Sequence, residues 1–200
     1  PALEVLITTD EETGMTGAQK VNPEHIQGRI LLNMDSEEEG KLLVSCAGGV
    51  RNKVTLPIIW GEKQKDSKVY EIKVSGLKGG HSGMDIIKQR ANSNKLLGRI
   101  LVNLSEAFDF RLAKVSGGSK TNAIPREAEA IIAVSSNDVD KILESINNLE
   151  SIFRNEYKVS DENIQIIIEE SQGNFEKVFS KETTEKTISL LYLIPNGINT

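Results

Sequence analysis

Val69-Tyr70-Glu71-Ile72-Lys73-Val74 alternates with period two, so Tyr70, Ile72 and Val74 share one face while Glu71 and Lys73 share the other. The run reads as a strand with one buried and one wet face. Downstream, Leu97, Ile100, Leu101 and Leu104 recur at i, i+3, i+4 and i+7, the apolar stripe of a helix laid on a sheet. Two more strand candidates follow, residues 108–115 and 127–134, joined through Gly117-Gly118 and Thr121-Asn122-Ala123-Ile124-Pro125. Val139, Ile142, Leu143, Ile146 and Leu149 mark a second amphipathic helix, and Ile164, Ile166 and Ile168 one face of a last strand. Residues 69–169 therefore read β-α-β-β-α-β. That order is the split βαβ, or ferredoxin-like, motif of the α+β class, with two helices on one face of an antiparallel sheet. It hosts many unrelated functions, so the chemistry must be argued from particular side chains.

Outward from this core the pattern changes. Residues 50–60 read as a strand, broken or placed at an edge by Pro57, and residues 61–67 as a polar turn into its hairpin partner at 69–74. Residues 3–9 and 29–35 are short apolar runs flanking a possible helix at 14–21, a strand, helix, strand unit that normally belongs to a parallel sheet in an α/β domain. The glycines of Cys46-Ala47-Gly48-Gly49 permit a change of direction, and a domain boundary is expected there, dividing residues 1–46 from 47–200. A strand beginning so close to Pro1 predicts that the chain starts inside a larger protein. A last helix is expected over residues 182–193, ending at Pro195-Asn196-Gly197.

Composition narrows the classes. With 24 basic and 29 acidic residues in 200, a net charge of −5 and 4% aromatics, the chain lacks the basic face and stacking platforms of a nucleic-acid binder. No apolar run approaches the length of a membrane span, so no membrane partner is expected. The one cysteine, Cys46, cannot form an internal disulfide, which fits a reducing cytoplasm.

Four constellations could carry chemistry. Asp10-Glu11-Glu12 closes the first apolar run, and adjacent carboxylates at a strand end repel unless a cation compensates them. One could then ligate a metal while the other accepts a proton from water; the alternative is an acidic first turn suited to a helix dipole. Asp35 closes the second run, and two parallel strands would bring it beside Glu11 and Glu12; the alternative is that it merely opens the solvated turn at residues 36–40. Gly79-Gly80-His81-Ser82-Gly83 leaves an uncrowded imidazole at a strand-to-helix corner, or simply an exposed turn histidine. Asn122 and Arg126, around Ile124-Pro125, could bind a carboxylate or oxyanion, or form an Asx-type turn.

Taken in order, Thr9-Asp-Glu-Glu-Thr-Gly-Met-Thr-Gly-Ala18, Asn33-Met-Asp-Ser-Glu-Glu-Glu-Gly40, Cys46-Ala-Gly-Gly49, Leu77-Lys-Gly-Gly-His-Ser-Gly83 and Asn122-Ala-Ile-Pro-Arg-Glu-Ala128 resemble the zinc-dependent dipeptidase and aminoacylase superfamily. The nearest resemblance is to the aminoacyl-histidine (Xaa-His, carnosine-splitting) dipeptidases of the bacterial cytoplasm. It implies a hydrolase with two divalent metal ions, zinc, and a dipeptide substrate. Glu11 would be the general base, and Glu12 and Asp35 metal ligands. His81 would be the lid residue that stabilises the oxyanion, with Asn122 and Arg126 holding substrate. Residues 47–200 would be an incomplete lid domain inserted into the catalytic domain, able to pair two copies through its sheet. The resemblance also implies metal ligands that this sequence lacks, so the expectation is a central segment of an enzyme, inactive by itself. The competing reading is a non-catalytic ferredoxin-like interaction or small-ligand-binding module.

Overall fold

The computed structural model describes residues 3–35, 39–45, 50 and 52–198. The chain divides into two compact units, Pro1–Asn52 and Lys53–Thr200. Cys46-Ala47-Gly48-Gly49, Ser36, Glu37 and Glu38 lie outside the described residues.

The first unit departs from expectation. Residues 3–9 and 29–35 form no strand, and their apolar side chains are exposed, Ile7 at 87% and Leu31 at 83%. The physical reason is the strand's need for a hydrogen-bonded neighbour: neither run pairs with another among the described residues, and two isolated strands cannot make a stable sheet. The expected helix shrinks to α1, Thr16–Gln19. What fixes this unit locally is polar. Both oxygens of the Glu4 carboxylate accept from the backbone at Gln27 and one also accepts from Gly28, while the Thr16 hydroxyl donates to Asp10 at 2.6 Å.

In the second unit the chain runs through β1 (Trp60–Glu62), β2 (Ser67–Ser75), β3 (Gly80–His81), α2 (Ser93–Ala107), β4 (Phe110–Gly117), β5 (Ala123–Ile124), β6 (Ala128–Ser135), α3 (Val139–Glu156), β7 (Gln165–Glu170), β8 (Lys177–Phe179) and α4 (Lys181–Leu193). Four strands form the main sheet in the order β4-β6-β2-β7, every pair antiparallel. With α2 and α3 between them in sequence, this is the ferredoxin-like topology. The hairpin expected between residues 50–60 and β2 does not form. Residues 52–59 are not strand, and β1 pairs instead with β8, where Trp60 meets Phe179 edge to face at 5.2 Å.

Ile72 and Val74 of β2, Ala130, Ile132 and Val134 of β6, and Leu112 of β4 meet Leu96, Leu97, Ile100, Leu101 and Leu104 of α2 in one core that also takes in Ile142, Ile146 and Phe153 of α3. The opposite face of the sheet is not uniformly wet, contrary to the alternation at residues 69–74. Val69, Ala113, Ile131 and Ala133 are buried there with Val178, and Phe175 packs on them. The same face also carries charge, with Lys114 paired to Glu129 at 2.6 Å.

Helix α2 is seated at three points. Its N-cap Asn92 accepts from the Asn94 and Lys95 N–H groups, satisfying first-turn donors. Gly98 lets α4 approach, since a Cβ there would stand 3.1 Å from the Leu191 carbonyl carbon. Arg99 makes two hydrogen bonds to Glu156 at the end of α3, at 2.6 and 2.8 Å, with its guanidinium 4.4 Å from the Phe153 ring centre. No helix among the described residues is long and apolar enough to cross a membrane.

Replacing fully buried Ile132 by Ala should cost about 2–5 kcal/mol, read as a lowered denaturation midpoint at unchanged m. The Arg99 hydrogen bond holds the Glu156 carboxyl below its ordinary value. A lowered folded value stabilises above the unfolded carboxylate range, and the gain disappears as pH falls through the folded value. Glu156→Gln should therefore lower Tm at pH 7, and the gap from wild type should close on acidification.

Candidate functional site

Strand β2 runs out of the sheet at Gly76, whose φ of +80° suits glycine. A Cβ there would overlap the Asn163 carbonyl oxygen, so this exit and the entry to β7 touch backbone to backbone. The chain then enters Leu77-Lys78-Gly79-Gly80-His81-Ser82-Gly83, and β3 within it pairs with β5 in a two-stranded ladder, Gly80 opposite Ile124 and His81 opposite Ala123. The Ser82 N–H donates to the Asn122 carbonyl at 2.9 Å. His81 thus lies in a small ladder that Asn122 adjoins through its carbonyl, both residues exposed, and Arg126 lies just beyond it against Gly79. Arg126 also lines a cavity of about 570 Å³ together with Lys73, Lys78, Ser116 and Glu129.

The imidazole is oriented by its own loop. Nδ1 of His81 accepts from the Gly83 and Met84 N–H groups at 3.1 and 3.2 Å. A nitrogen that accepts carries no proton in the neutral ring, so the neutral tautomer keeps its proton on Nε2 as an outward donor. Below it, Asp85 accepts from the His81 N–H at 2.9 Å, pairs with Lys88 at 2.6 Å and meets Arg90 at 3.4 Å, while Arg90 also donates to the Gly79 carbonyl. The Lys88 hydrogen bond, then that of the His81 N–H, hold the Asp85 carboxyl below its ordinary value. Gly80, at φ +142°, leaves room for this pair, since a Cβ there would overlap Asp85 and Arg90.

The carboxylates expected at a metal site lie in the other unit. Glu11 and Glu12 sit exposed in a turn opened by Asp10, whose φ is +59°. Asp35 is exposed as well, its N–H donating to the Asn33 side chain at 3.0 Å. The parallel strands expected to align these carboxylates are absent, and among the described residues no group of three or more His, Cys, Asp or Glu side chains could hold a metal ion. Exposed glutamate and aspartate in such surroundings do not by themselves fit a pair of divalent ions, which need more donors.

The ferredoxin-like sheet with its appended ladder defines a class. Residues 72–161 match the family described as the peptidase dimerisation domain of the M20 class. Over 98% of its length this chain is 38% identical to the cytosol non-specific dipeptidase of Escherichia coli (strain K12), covering 40% of that protein. Its structure matches the crystal structure of aminoacylhistidine dipeptidase from Vibrio alginolyticus with a TM-score of 0.81 at 35% identity, over 96% of this chain and 39% of that one. The chain thus spans about two fifths of the length of these relatives.

Sequence reasoning did not single out Asp85 or Arg90. The available signal was spacing: a carboxylate four residues after a turn histidine can reach back to its N–H. Nitrogen-detected NMR of the neutral imidazole should show His81 in the Nε2–H form, whereas a mixture of both neutral tautomers would contradict the two-donor contact at Nδ1. Gly80→Val should abolish that preference by displacing the corner, with the helices of the same unit left folded by circular dichroism.

Proposed function

We propose that this chain is part of a cytoplasmic metal-dependent dipeptidase, that residues 53–200 serve as its substrate-covering lid, and that His81 donates from Nε2 to the oxyanion formed when the peptide carbonyl is attacked. The observation that carries the reading is the ladder, which joins the loop of an imidazole whose neutral form keeps its proton on Nε2 to the Asn122 segment, in a stretch that matches the peptidase dimerisation domain. A donor aimed where charge develops stabilises the transition state more than the ground state. Asn122 and Arg126 hold the substrate, Arg126 supplying a cation for its terminal carboxylate.

Glu11 would accept the proton of the attacking water, and Glu12 and Asp35 would contribute oxygen ligands to divalent metal, zinc in our reading. Two carboxylates are too few ligands by themselves, so this assignment rests on the similarity to the two dipeptidases alone. The metal, when bound, supplies Lewis acidity. The substrates proposed are dipeptides, Xaa-His among them, as the names of the two relatives suggest. Two copies would join through the lid sheet, whose outer strands β4 and β7 bound it on either side.

The deciding measurement is steady-state hydrolysis of β-alanyl-histidine and other Xaa-His dipeptides by the complete protein, with and without chelator. His81→Ala should lower kcat by about 10²–10³ with metal content unchanged. A kcat within about twofold of wild type would leave His81 an exposed turn residue. Glu11→Gln should abolish turnover at near-normal metal content, whereas Glu12→Gln should lower metal occupancy, and equal metal loss in both would contradict the division of labour. The 200-residue chain alone should show no dipeptidase activity even with added zinc.

A further inference from the structure

The loop that carries His81 spans residues 78–91, and its two ends are tied to one buried carboxylate. Asp161, fully buried in the turn after α3, accepts from the Lys78 N–H on one oxygen at 2.7 Å and from the Ala91 N–H on the other at 2.8 Å. The Asp161 N–H is itself anchored, donating to the Tyr157 carbonyl at 2.7 Å. Lys78 opens the loop and Ala91 closes it, immediately before the Asn92 cap of α2. Within this outer tie sits the inner one, where Asp85 accepts from the His81 N–H and is held by Lys88 and Arg90. The ties are nested around the same residue.

Such placement is unusual on energetic grounds. A carboxyl group with no exposure is costly to bury unless its oxygens are satisfied, and its partners here are two backbone N–H groups thirteen residues apart rather than a cation. The loop between them contributes little to the core, since Met84 and Ile87 are 76% and 72% exposed. Hydrophobic burial therefore cannot fix where the imidazole points. The carboxylates can.

We propose that Asp161 and Asp85 are positioning residues for His81: Asp161 fixes the span of residues 78–91 and Asp85 fixes the His81 backbone within it, so that the Nε2–H is held at the point where the oxyanion forms. This rests on the oxyanion role given to His81 above. Preorganisation of this kind is sensitive, because about 1 Å of misplacement can cost about 10²-fold in rate. Asp161→Asn keeps shape and volume but sets an NH₂ group against one of the two N–H donors, so one end of the loop is released. Asp85→Ala, at a half-buried site, releases the inner tie without touching the core.

The test is a set of double-mutant cycles in the complete protein, with dipeptide hydrolysis as readout. Asp161→Asn and Asp85→Ala should each lower kcat by about tenfold or more, with KM within about twofold and metal content unchanged. In a His81→Ala background either change should lower kcat by less than about twofold, because the group through which it acts is already gone. A purely structural role would not produce this loss of effect. If His81→Ala is costly while both aspartate variants stay within twofold of wild type, the proposal falls and the role of His81 stands. Equal losses in both backgrounds also overturn it, placing the aspartates' effect elsewhere. If His81→Ala is itself silent, the oxyanion reading falls and the positioning claim with it. Should Asp161→Asn fail to fold, Asp85→Ala with its His81→Ala partner still decides the question.

Discussion

A central strand keeps its neighbours in register only when both of its edges are hydrogen-bonded and one of its faces is buried, and β2 meets all of these conditions. It pairs with β6 from Ser67 to Val74 and with β7 from Tyr70 to Ser75, while Ile72 and Val74 are wholly buried beneath the helices. A slip of one residue would turn Glu71 and Lys73 into that core, so the register is strongly specified. Because β2 leads directly into Gly76 and then the histidine loop, the same register also sets where that loop begins.

From there the means of control changes from apolar burial to polar ties. The sheet and helices are held by contact area, but residues 78–91 leave the core and return to it, with their ends on Asp161 and their middle on Asp85. Hydrogen bonds to a carboxylate are directional and worth more than neutral ones, which suits a segment that must be exposed yet ordered. The β3–β5 ladder adds a second restraint from the side, and it joins the loop to the Asn122 segment instead of to the main sheet.

How far the sequence discloses this follows from the range over which each force acts. The period-two run at 69–74 and the helical stripes at 97–104 and 139–149 are local patterns, and they gave the four-stranded sheet and its two helices correctly. Val69 and Ile131 look as though they should face water, yet Phe175 and Val178 cover them, a contact made across a long separation that alternation cannot encode. The run at residues 50–60 fails for a related reason: its end finds β8, more than a hundred residues away, rather than the adjacent β2. Residues 3–9 and 29–35 have strand-like composition but no strand beside them among the described residues, and propensity without a pairing partner does not make a sheet. At the site, glycines around His81 and the Asn122-Ala-Ile-Pro stretch were visible because special backbone geometry leaves a compositional mark. Asp161 leaves none, since in sequence it is one acidic residue in a polar turn.

The direction of the His81 donor is the product of all these layers. An imidazole in a flexible turn would sample both neutral tautomers and many orientations, and an oxyanion contact would have to select one of them at each turnover. Here two backbone N–H groups occupy Nδ1, so the tautomer of the neutral ring is chosen by the fold itself. Those N–H groups belong to Gly83 and Met84, which the 81–85 turn holds in place through the Asp85 N–H donating to the His81 carbonyl at 3.0 Å. Asp85 closes the same turn with its carboxylate on the His81 N–H, so one residue restrains both sides of the histidine's backbone. The cost of ordering the ring is thus met within the folded unit itself, by backbone hydrogen bonds rather than by any bound group.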